Sequence, residues 1–155
     1  MSQNVPAGFR ELALASPYVR TAGPFWGRWT GEQLRLGLRV EERHLNSVGS
    51  CHGGVLALMA DMLIPLAALY QLPEGHRSLM TTVSMSTDYL APVEQGSWIE
   101  GSAQLLKEPR KLAFGQGVIE ADGRVLVRFS GVFNAVPRQL EGSSDDPLRL
   151  KSAGI

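Results

Sequence analysis

The sequence predicts an α+β fold in which an antiparallel sheet of about six strands curls around one long buried helix. The residues from Val55 to Tyr70 are almost all apolar, on every side of a helix, which is typical of an enclosed helix. Segments with the two-residue alternation of strands lie before and after this stretch. Because one helix cannot cover both faces of a flat sheet, we expect the sheet to curve around it.

Two strands are predicted before the helix. Residues 23–30 contain an aromatic cluster, and residues 34–40 alternate leucine or valine with arginine or glycine. This period of two, with one apolar face, indicates a half-buried strand. Residues 9–14 hint at a short helix that Pro17 would stop.

Four strands are predicted after the helix, at residues 79–89, 97–107, 111–121 and 124–136. Asp122–Gly123 is a strong hairpin signal, so we expect the later strands to be antiparallel. Simple alternation along the first of these strands would place Thr82 on the face opposite Met85 and Thr87.

Length and composition indicate one domain in a 155-residue chain. We expect a single domain over residues 1–137 and a polar, mobile tail over residues 138–155. Fifteen basic and fifteen acidic side chains cancel, so no field gathers nucleic acid or anionic membrane, and neither is expected as a partner. With one cysteine and no secretory pattern at the N-terminus, we expect a cytoplasmic protein.

Asp61 interrupts the apolar helix. A membrane-spanning helix needs ~20 apolar residues without a central acid, so a buried core helix is the better interpretation. An unpaired carboxylate in apolar packing is costly, so Asp61 should have a partner, have a raised pKa, or line a cleft. A structural acid bonded to a backbone amide or a serine is the alternative. Pro65 cannot donate to the carbonyl of Asp61, so a kink or local opening is expected there.

Gly53 and Gly54 lie at the predicted start of this helix. The first N–H groups of a helix lack intrahelical partners and carry the positive end of its dipole. Glycine lets a ligand approach closely, so the pair could stabilise developing negative charge such as an oxyanion. Tight packing against a strand is the alternative.

His52 could donate a hydrogen bond or orient a substrate, and a structural role is the alternative. Cys51 precedes it, but adjacent side chains usually point apart, which disfavours a Cys–His nucleophile. The three histidines and the cysteine lack zinc-type spacing, so no metal is expected.

The spacing of Gly53 and Asp61 predicts a shared site. Eight residues of helix separate them by ~12 Å, whereas a reacting carbonyl must lie ~3 Å from both its oxyanion donor and its attacking group. Two antiparallel copies could satisfy both demands, with Asp61 of one chain facing Gly53 of the other. If both residues take part, the protein is at least a dimer.

Residues 46–61 read Asn-Ser-Val-Gly-Ser-Cys-His-Gly-Gly-Val-Leu-Ala-Leu-Met-Ala-Asp. This order of an Asn, a Gly and His-Gly-Gly, with an acid on the following helix, resembles the signature of PaaI-type hotdog thioesterases. Residues 86–92 resemble the strand and turn that follow in that family. Residues 107–114 and 122–123 fall where the family has a basic turn and a hairpin. The likeness covers about residues 20–135.

The resemblance implies a hotdog fold, homodimers that often form homotetramers, and hydrolysis of acyl-CoA or aryl-acyl-CoA thioesters without metal or organic cofactor. Asp61 would act as nucleophile or as general base on water. The amide of Gly53 would polarise the thioester carbonyl, with Gly54 beside it in the binding site.

The resemblance assigns roles to other positions as well. Asn46 and His52 match positions that help to hold water or the thioester, and Thr82 matches a small hydroxyl residue that assists the acid. In the family, CoA phosphates usually bind basic side chains near the dimer surface. Lys107, Arg110 and Lys111 are therefore candidates for binding the CoA phosphates. An ordinary solvated turn is the alternative for these three.

Two other functions stay open. A hotdog dehydratase or hydratase would need a histidine base set against an acid, and His52 would have to supply it. A non-catalytic acyl-CoA binding module is disfavoured by Asp61, since a pure binder has little use for that acid. The aromatic residues Phe25, Trp26 and Trp29 could shape an aryl pocket or belong to the core.

Overall fold

The computed structural model describes residues 4–136 and 146–151. Its elements are β1 (Arg10–Glu11), α1 (Pro17–Ala22), β2 (Trp26–Trp29), β3 (Leu34–Arg39), α2 (Gly53–Gln71), β4 (Leu79–Tyr89), β5 (Trp98–Leu105), β6 (Leu112–Ala121) and β7 (Arg124–Val136). All strand pairs are antiparallel, in one seven-stranded sheet of order β1-β2-β3-β5-β6-β7-β4. The predicted α+β architecture is confirmed, with one short strand more than expected.

The helix α2 packs against β3, β4, β5, β6 and β7. Its sheet-facing side supplies the centre of the core, where Met59, Leu63 and Ile64 have no exposed surface. The opposite side, including Ala57 and Asp61, is only half-buried. The predicted enclosure of α2 is therefore complete on the sheet side alone. By length and composition α2 could also cross a membrane, a property that core helices share.

The helix is continuous through Pro65, which lies inside it and does not end it. Six further residues follow the proline before the helix ends at Gln71. The ring has a partly exposed position. Pro65 therefore does not shorten the helix.

Strand β4 forms one edge of the sheet and, among the described strands, pairs only with β7. The register shifts between Thr82 and Ser84, which leaves Val83 as an extra residue that is 60% exposed. Such a bulge reverses the alternation beyond it. Thr82 and Met85 therefore both face α2, and the prediction that they lie on opposite faces was wrong.

The predicted short helix at residues 9–14 is also wrong. That stretch contains β1, and the helix α1 begins at Pro17. The Ser16 side chain caps it by accepting a hydrogen bond from the Val19 N–H at 3.4 Å. Proline is well tolerated in the first turn, where its missing N–H would have no partner. Pro17 thus starts a helix instead of stopping one.

Part of the predicted tail belongs to the folded core. Leu150 is 4% exposed, and the Asp146 carboxylate accepts hydrogen bonds from the Tyr70 hydroxyl at 2.9 Å and the Leu150 N–H at 2.6 Å. Residues 146–151 are therefore fixed against α2. Residues 138–145 and 152–155 lie outside the described residues, so their mobility stays a prediction.

We predict that Gly115→Ala lowers the free energy of unfolding by about 1–3 kcal/mol, because it overpacks the contact between β6 and α2. A methyl group at Gly115 would lie 2.7 Å from Cγ2 of Ile64, a fully buried and β-branched side chain that cannot turn away. Urea unfolding measures the change. Gly75→Ala is the control, since no atom lies within 4 Å of its added methyl group. Equal stability of the two variants would contradict this account of the helix–sheet contact.

Candidate active site

Asn46 organises the loop that leads into α2. Its side-chain oxygen accepts hydrogen bonds from the N–H groups of Val48 at 3.0 Å and Ser50 at 3.1 Å, and its amide nitrogen donates to the Ser50 hydroxyl at 3.0 Å. These bonds form a tight turn of the kind that asparagine stabilises. The structure therefore shows Asn46 shaping the loop, in a place where it also lines a groove beside Gly53.

His52 caps the start of α2. Its backbone is extended, and its Nδ1 accepts a hydrogen bond from the Gly54 N–H at 2.8 Å. A neutral ring that accepts at Nδ1 carries its proton on Nε2. The ring is exposed, so this second nitrogen is available as a donor to a ligand.

The Gly53 N–H is the first free donor at the helix start. Because His52 already accepts from Gly54, that second N–H is engaged. Among the described residues, no acceptor forms a hydrogen bond with the Gly53 N–H. This group has the position and polarity that an oxyanion donor needs.

Asp61 lies on the half-buried side of α2, facing β4. The Thr82 hydroxyl donates a short hydrogen bond to its carboxylate. Asp61 therefore has a hydroxyl partner, as a residue in either a structural or a chemical role would need. The bulge at Val83 brings Thr82 to this position.

A groove of about 440 Å³ opens at Asp61. Its other walls are mostly apolar or small, and are formed by Tyr18, Gly54, Ala57, Leu58, Met85 and Thr87. One carboxylate at the edge of an apolar groove suits a ligand with an apolar body and a polar reacting end.

A separate groove of about 350 Å³ lies at the helix start. Gly53, Asn46 and Tyr89 line it, together with the turn that follows β4. Within one chain, Gly53 and Asp61 thus line different grooves, as their spacing along α2 predicted. Sequence reasoning missed Tyr89 as a site residue, although it falls within the stretch after the helix that resembles the family.

Cys51 does not form a nucleophilic pair with His52. Its side chain is 5% exposed, and burial raises the pKa of its thiol to about 11. Its sulfur lies 3.9 Å from the His52 carbonyl oxygen, and the hydrogen bond that the His52 ring makes is with Gly54. A thiol with this pKa is protonated at neutral pH, so the structure supports the sequence argument against a Cys–His nucleophile.

The basic turn lies far from Gly53 within the chain. Lys107, Arg110 and Lys111 are exposed between β5 and β6. The side chain of Gln71, the last residue of α2, accepts from the Leu105 N–H at 2.8 Å and so holds this turn near the helix end. A helix of 19 residues is about 28 Å long. One chain therefore cannot bring these cations to its own Gly53.

The aromatic residues that could have shaped an aryl pocket lie elsewhere. Phe25 is 2% exposed in the core, and Trp29 stacks on Tyr70 with ring centres 4.9 Å apart. Neither groove is lined by Phe25, Trp26 or Trp29. The aromatic walls of the two grooves are instead Tyr18 and Tyr89.

Buried His44 connects α1 to the start of α2. Its Nδ1 accepts from the Glu41 N–H at 2.9 Å, its Nε2 lies 2.9 Å from the Ala22 carbonyl oxygen, and its own carbonyl accepts from the His52 N–H at 2.7 Å. Both ring bonds are satisfied only by the neutral ring with its proton on Nε2. Burial lowers the pKa of His44 below its ordinary value of 6.5. No spacing pattern in the sequence distinguished this histidine.

We predict that His44 makes the fold less stable in mild acid. Since the folded state lowers its pKa, the unfolded chain takes up the proton first, and stability falls as pH drops from 6.5 through the lowered pKa. Above 6.5 this contribution is fully present. The free energy of unfolding, measured by urea at several pH values between 8 and 5, should fall less steeply in His44→Gln than in wild type. Parallel pH profiles for the two proteins would contradict the prediction.

Known proteins share both the sequence pattern and the fold. A family model described as the thioesterase superfamily matches residues 48–127. A Pseudomonas aeruginosa protein whose name assigns it provisionally to the esterases is 32% identical over 132 residues, covering 84% of this chain and 97% of that one. Mouse acyl-coenzyme A thioesterase 13 is 34% identical over 83 residues, covering 54% of this chain and 57% of the mouse protein.

A solved structure extends the likeness to the fold. It is a variant of the phenylacetic acid degradation protein PaaI of Thermus thermophilus, with a TM-score of 0.65 and 23% identity. The match covers 78% of this chain and 100% of that one. The stretch matched by the family model includes Gly53, Asp61, Thr82 and Tyr89.

Proposed function

The chain belongs to the thioesterase superfamily, with the hotdog fold of its PaaI-type members, and from this premise we propose that its substrates are acyl-CoA or aryl-acyl-CoA thioesters. The products are the free acid and CoA. The mouse relative is named for acyl-coenzyme A substrates, which supports this choice. The observation that carries the proposal is the Asp61 carboxylate, held by Thr82 at the mouth of an apolar groove.

Asp61 begins the reaction in either of two ways. As a general base it removes a proton from a water molecule, whose oxygen then attacks the thioester carbonyl carbon. As a nucleophile it attacks that carbon itself and forms an anhydride that water then hydrolyses. In both cases the C–S bond breaks and CoA leaves as a thiolate that is then protonated. Thr82 holds the carboxylate toward the groove.

Gly53 stabilises the negative charge that the attack creates. When the carbonyl carbon becomes tetrahedral, its oxygen becomes an oxyanion, and a fixed N–H at a helix start stabilises it. The Gly53 N–H is the free donor at this position, and the Nε2–H of His52 is a second donor beside it. Asn46 keeps the preceding loop in place.

The two grooves become one site in a homodimer. The half-exposed side of α2 and the free edge of β4 are the surfaces that a second copy would cover. A two-fold axis between them sets the two α2 helices antiparallel, so Asp61 of one chain approaches Gly53 of the other. The same axis brings the basic turn of the second chain toward the first chain's Gly53, where Lys107, Arg110 and Lys111 can meet the CoA phosphates.

The structure disfavours the two alternatives. A dehydratase would need His52 as a base, but its Nδ1 already accepts from Gly54 and its Nε2 carries the proton. A non-catalytic binding module would have no use for the Asp61 carboxylate, whose desolvation beside an apolar groove costs free energy. The predicted homotetramer and cytoplasmic location stay predictions.

We predict that Asp61→Asn lowers kcat by at least about 100-fold, because the amide can neither accept a proton nor attack. Release of free thiol from short-chain, long-chain and aromatic acyl-CoAs measures turnover. Asp88→Asn is the matched control and should keep normal turnover. Asp88 lies on the same strand as Thr82, pairs with Arg128 at 2.8 Å and lines neither of the two grooves proposed to form the active site. Normal turnover in a folded Asp61→Asn protein would refute the role of Asp61.

We predict that Gly53→Pro lowers kcat about 100-fold or more, whereas Gly53→Ala retains most activity. Proline removes the N–H that is proposed to bind the oxyanion, and it is tolerated at the first helical position. The preceding His52 has ψ 133°, which suits a residue before proline. Alanine keeps the N–H, and its methyl group would lie 3.4 Å from the Tyr89 ring, an ordinary contact.

Mixing the two inactive variants tests whether the site is shared. A heterodimer of Asp61→Asn and Gly53→Pro chains contains one site with Asp61 and Gly53 both intact. Random exchange of subunits should therefore restore about a quarter of wild-type activity. No recovery after demonstrated subunit exchange would show that each chain carries its own complete site.

A further inference from the structure

Tyr89 reaches from the end of β4 to the first turn of α2. Its hydroxyl donates to the Gly53 carbonyl oxygen at 3.0 Å and lies 3.3 Å from the Thr87 hydroxyl. Its ring lies beside Gly53: a Cβ atom added at Gly53 would lie 3.4 Å from the ring carbons, which is an ordinary contact distance. Tyr89 is 50% exposed and lines the groove at the helix start. A half-exposed phenol at this place is not needed to fill the core.

The Gly53–Gly54 peptide unit is held at both of its polar ends. Tyr89 binds its carbonyl oxygen at 3.0 Å, and His52 Nδ1 binds its N–H at 2.8 Å. Two successive glycines are the most flexible pair in a polypeptide, and the first turn of a helix is where its ends fray. Because the two hydrogen bonds hold opposite ends of one peptide unit, they restrict its rotation.

These two hydrogen bonds also restrain the neighbouring Gly53 N–H, which is the proposed oxyanion donor. The Gly53 N–H lies in the preceding peptide plane, which joins the held one at the Gly53 Cα, so holding the 53–54 plane narrows the range of directions that the Gly53 N–H can take. An oxyanion donor contributes most when it is already aimed before the charge develops. The Gly53 carbonyl also accepts within α2, as the first carbonyl of a helix does, and Tyr89 adds a bond from outside the helix that ties this end of the unit to β4.

We propose that Tyr89 is a positioning residue for thioester hydrolysis, which keeps the Gly53 N–H aimed at the oxyanion by holding the Gly53 carbonyl. This inference rests on the proposed function of Gly53. Strand β4 then supports both reacting groups, since its Thr82 hydroxyl orients Asp61 and its Tyr89 hydroxyl orients Gly53. In the homodimer, those two groups serve different sites.

The variant Tyr89→Phe removes the hydroxyl and keeps the ring. We expect kcat to fall about tenfold with KM within about twofold of wild type, since the loss falls on the transition state and not on substrate binding. Tyr70→Phe is the matched control. It deletes a phenol hydroxyl at the opposite end of α2, which bonds Asp146 at 2.9 Å and lines neither groove, and it should leave kcat unchanged.

A double-variant cycle separates positioning from direct contact with the substrate. Tyr89→Phe and His52→Ala each release one end of the same peptide unit, so Tyr89→Phe should lower kcat less in a His52→Ala background than in wild type. Losses in kcat that are less than multiplicative support the proposal, and fully multiplicative losses overturn it. A rise in KM with unchanged kcat for Tyr89→Phe would also overturn it.

The outcome distinguishes this inference from the proposed function. Active wild type with an inactive Asp61→Asn variant and an unaffected Tyr89→Phe variant would reject the role of Tyr89 alone. Wild type that releases no thiol from any acyl-CoA would reject the proposed function, and the role of Tyr89 with it.

Discussion

The close packing of one side of α2 on the sheet is the constraint on which the rest of the structure depends. Gly115 leaves room for Ile64, so the helix can lie directly on the central strands. This contact takes up the apolar side of α2 and fixes its rotation. Asp61 then lies on the opposite, half-buried side, toward β4 and away from the core. The position of the acid is a consequence of how the helix is buried.

The start of α2 is held by side chains from three directions. Asn46 shapes the loop before it, His44 links the capping residue His52 to α1, and Tyr89 reaches the first turn from β4. A Gly-Gly sequence offers an open approach to backbone N–H groups but no stiffness of its own. The surrounding bonds supply that stiffness, so the open approach does not come with a loosely placed donor.

The main elements could be predicted because their signals are local. The apolar stretch of α2 and the Asp122–Gly123 turn, where both residues have positive φ, are defined within a few positions of the chain. The bulge at Val83 could not be predicted, because it arises from the pairing of β4 with a strand about fifty residues later. It changed the face assigned to every later residue of β4. The roles of His44 and Tyr89 depend on similarly distant contacts.

The free edge of β4 has a consequence for the life of the protein in the cell. Eleven residues of strand carry a single charged side chain, Asp88, and contain neither lysine nor proline to discourage unwanted pairing. A newly made chain whose strand edge meets partly folded neighbours is exposed to misassembly. Outward-facing substitutions on this strand can therefore reduce the amount of soluble protein while leaving turnover per molecule unchanged.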